Sequence, residues 1–126
     1  MPQIIQTGSA APPWRVACLC AAWCDTCNEY RPAFEALARA NPNDAFAWID
    51  IEDESDMLGD IDIENFPTIL ITRGPTPFFF GTTLPHVEQL QKLLNSVKAN
   101  EAPLREPDPD LVSLAAQLHD QTRSLR

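Results

Sequence analysis

Apolar and polar positions along the chain alternate between two kinds of pattern. The segment WRVACLCAA, Trp14 to Ala22, is apolar almost throughout and follows Pro12-Pro13, the mark of a strand buried on both faces and central in its sheet. Tyr30, Phe34, Leu37 and Ala38 then recur at three- and four-residue spacing. That spacing predicts an amphipathic helix over 24–40 that ends before Asn41-Pro42 and is kinked at Pro32. AFAWIDI, Ala45 to Ile51, is a second apolar strand, followed by an acidic stretch with one helical turn around Ser55 to Leu58. ILIT after Pro67 is a third strand, RGPTP (Arg73 to Pro77) a turn, and Phe78 to Gly81 a fourth strand in hairpin relation to the third, half-buried with Phe79 facing opposite to its neighbours. Pro85 opens a helix with Val87, Leu90, Leu93, Leu94 and Val97 on one face. Strand, helix, strand, hairpin and helix in that order indicate an α/β sheet of mixed direction.

Residues 102–109 (APLREPDP) form a proline-rich linker, and Asp110 to Leu125 a last short helix with Leu111, Leu114, Ala115 and Leu118 on one side. The expected organisation is one domain over 1–101 and an appended linker and helix over 102–126. Nothing in the pattern shows what the appended helix does.

Composition narrows the function classes. With 126 residues, 44% of them hydrophobic, the chain can bury one core, and no apolar run approaches the ~20 residues of a membrane span. Nine basic against 18 acidic residues leave a formal charge of -9, which disfavours nucleic acid and anionic membrane surfaces as partners. Half of the acids lie between Asp44 and Glu64 (Asp44, Asp50, Glu52, Asp53, Glu54, Asp56, Asp60, Asp62, Glu64) with no Lys or Arg among them. Such a run is either a solvated face or a docking surface for a basic partner, since it leads into the segment at Pro67. Met1 to Pro13 match neither a secretory signal nor a transit peptide, and with the cysteine usage this gives a cytoplasmic expectation.

Four cysteines fall within ten positions. Trp23-Cys24-Asp25-Thr26-Cys27 puts two thiols at C-x-x-C spacing directly after a buried strand and in the first turn of a helix. Unpaired N–H groups and the helix dipole favour a thiolate there, and the second sulfur lies close enough to close a disulfide, so the pair suits thiol–disulfide exchange. A structural disulfide or half of a zinc site is the competing explanation. Zinc needs two further ligands, however, and His86 and His119 are remote in sequence. Cys18 and Cys20 alternate with Leu19 and so share the strand face turned toward the helix that carries Cys24 and Cys27. They are either small buried hydrophobes or part of a four-thiolate metal cluster.

Beyond the C-x-x-C, the chain resembles the thioredoxin family in Trp23 before the first cysteine, in Pro32 eight residues after it, and in Phe66-Pro67-Thr68, which matches the family's cis-proline motif. Gly81 and the helix from Pro85 also fall where the family's last strand and helix would, so the resemblance covers about 14–98. It implies a thioredoxin-like α/β fold, a central mixed β-sheet flanked by helices, here with an abbreviated N-terminal strand and helix and an extra C-terminal segment. Residues 7–13 are too few for the crossover of a dozen or more residues that a parallel connection needs.

The resemblance also implies a thiol–disulfide oxidoreductase, a reductase of protein disulfides rather than an oxidant. Cys24 would be the attacking nucleophile and Cys27 the buried resolving thiol. Pro67 would border both sulfurs, the backbone of Phe66 would pair with the substrate peptide, and Trp23 would stand at the rim. No cofactor or metal is implied; the partners are a disulfide-containing protein substrate and an external electron-donating reductase.

Departures from the family bear on the chemistry. Cys18 stands where the family has a buried acid, and Phe46 where it has the accompanying lysine, so proton transfer at Cys27 lacks both helpers and turnover should be slower. Between the cysteines, Asp25 adds a negative charge beside the thiolate and the Thr26 hydroxyl offers a hydrogen bond in compensation. Loss of the helpers motivates a second expectation, a binding or assembly module with little turnover.

Overall fold

The computed structural model describes residues 3–5, 14–61, 63, 65–83 and 86–124, with 3–5 and 121–124 described by their backbone. In chain order the elements are β1 (Gln3–Ile5), β2 (Trp14–Cys20), α1 (Asp25–Ala40), β3 (Ala45–Asp50), α2 (Ser55–Leu58), β4 (Thr68–Arg73), β5 (Thr76–Thr82), α3 (Val87–Asn100) and α4 (Pro109–Ser124). They build a five-stranded sheet in the order β1-β3-β2-β4-β5. β2 and β3 are parallel, with α1 as their crossover, while β4 and β5 are antiparallel additions. The abbreviated first strand runs antiparallel to β3. The eight positions between β1 and β2 are fewer than the dozen or more that a parallel connection needs, in keeping with the antiparallel pairing of β1. Among the described residues no helix precedes β2.

Alternation along β2 divides the core. Val16, Cys18 and Cys20 face α1 and α3, together with Phe46, Trp48, Ile69 and Ile71 from the neighbouring strands. Phe34 is the centre of that layer, edge-on to Phe46 at 5.5 Å and to Trp48 at 5.6 Å. Ala17 and Leu19 face the other way with Ala47, Ile49 and Leu70, and are covered by Met57 and Leu58 of α2 and by Leu111, Leu114 and Leu118 of α4.

The segment after 101 is therefore continuous with the core. The Leu104 N–H donates to the Pro77 carbonyl at 3.1 Å, and the Asp60 N–H to Asp110 Oδ2 at 3.2 Å. Gly59 lies at φ +57°, where a Cβ would stand 3.0 Å from Asp110 Oδ1, so the close approach of α4 to the end of α2 requires glycine. In this arrangement the extra C-terminal helix covers a sheet face that no N-terminal helix among the described residues covers.

Two local expectations change. A bulge in the β4–β5 ladder between Ile71 and Thr72 leaves Phe78 without a register partner, and Phe78 packs edge-on to Trp14 at 4.7 Å. Phe78 and Phe79 thus share the α1/α3 side, and only Phe80 faces opposite. α3 begins at Val87 with His86 as its N-cap, and Pro85 lies outside the described residues. Arg15, wholly buried, donates from Nη1 to Thr72 Oγ1 and the Gly74 carbonyl, both at 3.3 Å, and burial lowers its pKa from 12.5 to about 10. No helix among the described residues is long and apolar enough to cross a membrane.

Candidate active site

The site lies where β2 ends and α1 begins. The chain leaves Cys20, turns through 21–23, and enters α1 with Cys24 as N-cap in extended geometry (φ -90°, ψ 116°). The turn is held by the Cys24 N–H on the Ala21 carbonyl at 3.0 Å and by Asn28 Nδ2 on the Ala22 carbonyl, also 3.0 Å. Asn28 is a residue that the sequence pattern did not single out; its position one turn into the helix, facing back on the entering loop, is visible only once the loop is folded.

Cys24 is partly exposed and its thiol is free, resting against the α1/α3 core layer. Trp23, the residue before Cys24, is 66% exposed and edge-on to Phe66 at 5.6 Å, so the two rings form an apolar rim at the entry to α1. The Phe66-Pro67 peptide bond is cis, Pro67 is buried, and Thr68 Oγ1 donates to the Asn65 carbonyl at 2.6 Å. Asp25 and Thr26 are both exposed on the outer side of the first turn.

Cys27 is where the expected pairing fails. Its sulfur points inward, wholly buried, and is bonded to Cys20, with the two Cα atoms 5.8 Å apart, rather than to Cys24. The reason is the face-sharing of the strand: Cys20 ends β2 on the face packed against α1, in the same buried layer as Cys27. Cys20 is thus not a space-filling hydrophobe. The signal that pointed to it was the C-x-C alternation; missing was the distance across the strand–helix packing. Among the described residues no group of three or more His, Cys, Asp or Glu side chains is placed to hold a metal ion.

Cys18 lies below Cys20, Sγ to Sγ 3.7 Å, and has no exposure. Because the Cys20 sulfur carries no hydrogen in the disulfide, the Cys18 thiol is the donor in that contact. Burial pushes the Cys18 thiol far up from its ordinary pKa, and it pushes the neighbouring Tyr30 hydroxyl up as well, Cys18 adding to the latter. The Tyr30 hydroxyl is buried without a hydrogen-bond partner among the described residues.

A pKa raised on folding contributes stability that is complete below the unfolded value, about 8.5 for a thiol, and is lost as pH rises. The oxidised protein should therefore lose up to about 1.4 kcal/mol per pH unit above that point through Cys18, seen as a falling urea midpoint between pH 8 and 10. Cys18→Ala should flatten that decline; an equal decline in the variant would show that Cys18 does not cause it.

The acidic run divides in the structure. Asp44, at the start of β3, is buried and ion-paired to Lys98 at 2.5 Å. At the other end of β3, Asp50 is the register partner of Cys20, and its Oδ1 accepts the N–H groups of Glu52 (2.8 Å) and Asp53 (3.1 Å). Asp50 and Asp53 line a groove of about 370 Å³ with Ala22, Asn28, Arg31 and Trp48, the Arg31 guanidinium lying 5.2 Å from the Trp48 ring centroid. Asp62 and Glu64 lie outside the described residues.

Residues 12–96 match the family model for thioredoxin. The chain belongs to the thioredoxin family. A curated relative, "Putative thioredoxin 2" from Streptomyces coelicolor, is 32% identical over 59 residues, 47% of this chain, and the chain spans 44% of that protein's length. Fasciola hepatica thioredoxin has the same fold at TM-score 0.61 and 20% identity, covering 68% of this chain and 82% of that one. The germline-specific thioredoxin Deadhead from Drosophila melanogaster matches at TM-score 0.60 and 17% identity, covering 68% and 81%. Cys18 and Phe46, the residues expected at the family's charged-helper positions, are both wholly buried in the aromatic layer around Phe34, and the β3 residue in register with Cys18 is Trp48.

Proposed function

We propose that the protein is a thiol–disulfide oxidoreductase that reduces protein disulfides through Cys24. The observation that carries this is the placement of a free, partly exposed thiol at the N-cap of α1, next to Trp23 of the Trp23–Phe66 rim and with Cys27 three residues on, in the first turn of the helix. The Cys24 thiolate attacks one sulfur of a client disulfide, forming a mixed disulfide and expelling the other client sulfur as a thiolate. With Cys27 reduced, its thiolate attacks the Cys24 sulfur, closing Cys24–Cys27 and releasing the second client thiolate. The client gains two electrons and two protons, which an outside reductase restores to the protein.

The client peptide lies along Phe66 and Pro67, and its charge is basic, drawn by Asp50, Asp53 and their neighbours at the same end of the sheet. The protein works in the cytoplasm, where thiols are kept reduced. Insulin reduction tests the activity. Cys24→Ser should abolish the rate seen with wild type, and equal rates for the two would end the proposal.

A second function, a binding module with little turnover, is favoured by one observation: Cys18 and Phe46, the residues expected at the helper positions, are wholly buried and neither is a carboxylate or an amine that could move a proton at Cys27. Such a module would hold clients without any thiol.

A further inference from the structure

Cys27 follows Cys24 by three residues at the start of α1, and the structure bonds it instead to Cys20 of β2. Resting on the oxidoreductase reading above, we infer that Cys20 is a third exchange cysteine, which moves the disulfide from Cys24–Cys27 to Cys20–Cys27 and returns Cys24 to its free form. In this step the Cys20 thiolate attacks the Cys27 sulfur. The Cys20–Cys27 bond forms, the Cys24–Cys27 bond breaks, and the electron pair leaves on Cys24. The net proton movement is from Cys20 to Cys24 or to solvent. No external oxidant or reductant is consumed, because the two disulfides are isomers.

Three observations support the exchange. The Cα atoms of Cys20 and Cys27 stand 5.8 Å apart, inside the range that disulfides span without backbone movement. Cys24 and Cys27 are three residues apart on one helical turn, the spacing that brings side chains to the same face. The two alternatives also release different sulfurs. A displaced Cys24 sulfur meets solvent and the unpaired N–H groups of a helix start, whereas a displaced Cys20 sulfur, 1% exposed, sits in an apolar layer that opposes its ionisation. Exchange toward Cys20–Cys27 is therefore favoured once thiols ionise. The Cys18 thiol, 3.7 Å from Cys20, is a positioning residue that donates to the Cys20 sulfur and supports its departure in the reverse step.

The consequence is a change of mode. A protein oxidised as Cys24–Cys27 has no nucleophile, but one oxidised as Cys20–Cys27 keeps a free Cys24 with no thiol to resolve it. It forms mixed disulfides and holds them.

Differential alkylation of the full chain tests this. Reduced protein is oxidised with one equivalent of diamide, quenched in acid and denatured with N-ethylmaleimide, then reduced and labelled with iodoacetamide. Trypsin cleaves after Arg15 and next after Arg39, because Arg31 precedes Pro32, so all four cysteines lie on one tryptic peptide and fragmentation mass spectrometry locates each label. Wild type should carry maleimide on Cys18 and Cys24 and acetamide on Cys20 and Cys27. In Cys20→Ala the acetamide should move to Cys24 and Cys27, with loss of maleimide at Cys24. Maleimide on Cys20 in oxidised wild type would overturn the inference, and so would a Cys20→Ala variant unable to form any disulfide while folded by circular dichroism. Should that variant not fold, a time course in wild type decides: Cys24–Cys27 must precede Cys20–Cys27, and Cys24–Cys27 persisting at the end overturns the exchange. Because diamide replaces the client, the result is independent of insulin reduction, and either proposal can fail while the other stands.

Discussion

A chain cut after Glu101 is expected to lose its cooperative fold. α4 contributes Leu111, Leu114 and Leu118, each at most 4% exposed, to the layer that covers Ala17, Leu19, Ala47, Ile49 and Leu70. Fully burying a leucine contributes about 1.5–3 kcal/mol, so the three side chains alone match much of the ~5–15 kcal/mol net stability of a typical domain. Removing the helix also exposes the sheet face beneath it, where the short α2 offers only Met57 and Leu58 as cover. A point substitution separates this from a general effect of shortening. Leu114→Ala should cost about 2–5 kcal/mol in urea unfolding, whereas Val112→Ala, on the 42% exposed outer side of the same helix, should change stability by less than about 0.5 kcal/mol. A truncated chain with an undiminished urea midpoint would show that the sheet face needs no cover from α4.

That dependence also explains which parts of the fold were legible in the sequence. Leu111, Leu114 and Leu118 reveal a helix with one apolar side, because helical period is a local property. Their destination is not local: it depends on which sheet face lacks a helix. Among the described residues no helix precedes β2, and the amphipathic segment after 109 covers the face opposite α1 and α3.

The same boundary between local and tertiary information runs through the site. C-x-x-C spacing placed Cys24 and Cys27 on a helix start, and Leu19 between Cys18 and Cys20 placed those two on the facing side of β2. Whether Cys27 reaches Cys24 or Cys20 is decided by how α1 settles on β2, through the Phe34 layer and the Asn28 brace. Residue spacing carries neither distance. Phe78 shows the limit in miniature, since strict strand alternation predicts its facing and a single bulge reverses it.

On the proposed function, replacing Cys27 with serine is expected to convert turnover into covalent capture. Without Cys27 the mixed disulfide at Cys24 has no resolving thiol on the same helical turn, and the remaining thiols, Cys18 and Cys20, are both buried. Release then depends on an external thiol. Well-oriented intramolecular attack carries effective molarities on the order of 10⁵ M or more, so millimolar external thiol should leave steady-state insulin reduction at least ~10³-fold slower, if resolution limits turnover. Clients should accumulate as covalent adducts that survive denaturation and vanish on reduction, and a Cys24→Ser/Cys27→Ser double variant should capture none covalently. Equal retention of clients by wild type, single and double variants would instead identify noncovalent holding along Trp23, Phe66 and Pro67. The comparison thereby weighs the chemistry of the Cys24 sulfur against the rim beside it. An exposed thiol that attacks before anything behind it responds must leave a covalent record when its resolving partner is removed, whereas a groove that only binds leaves none.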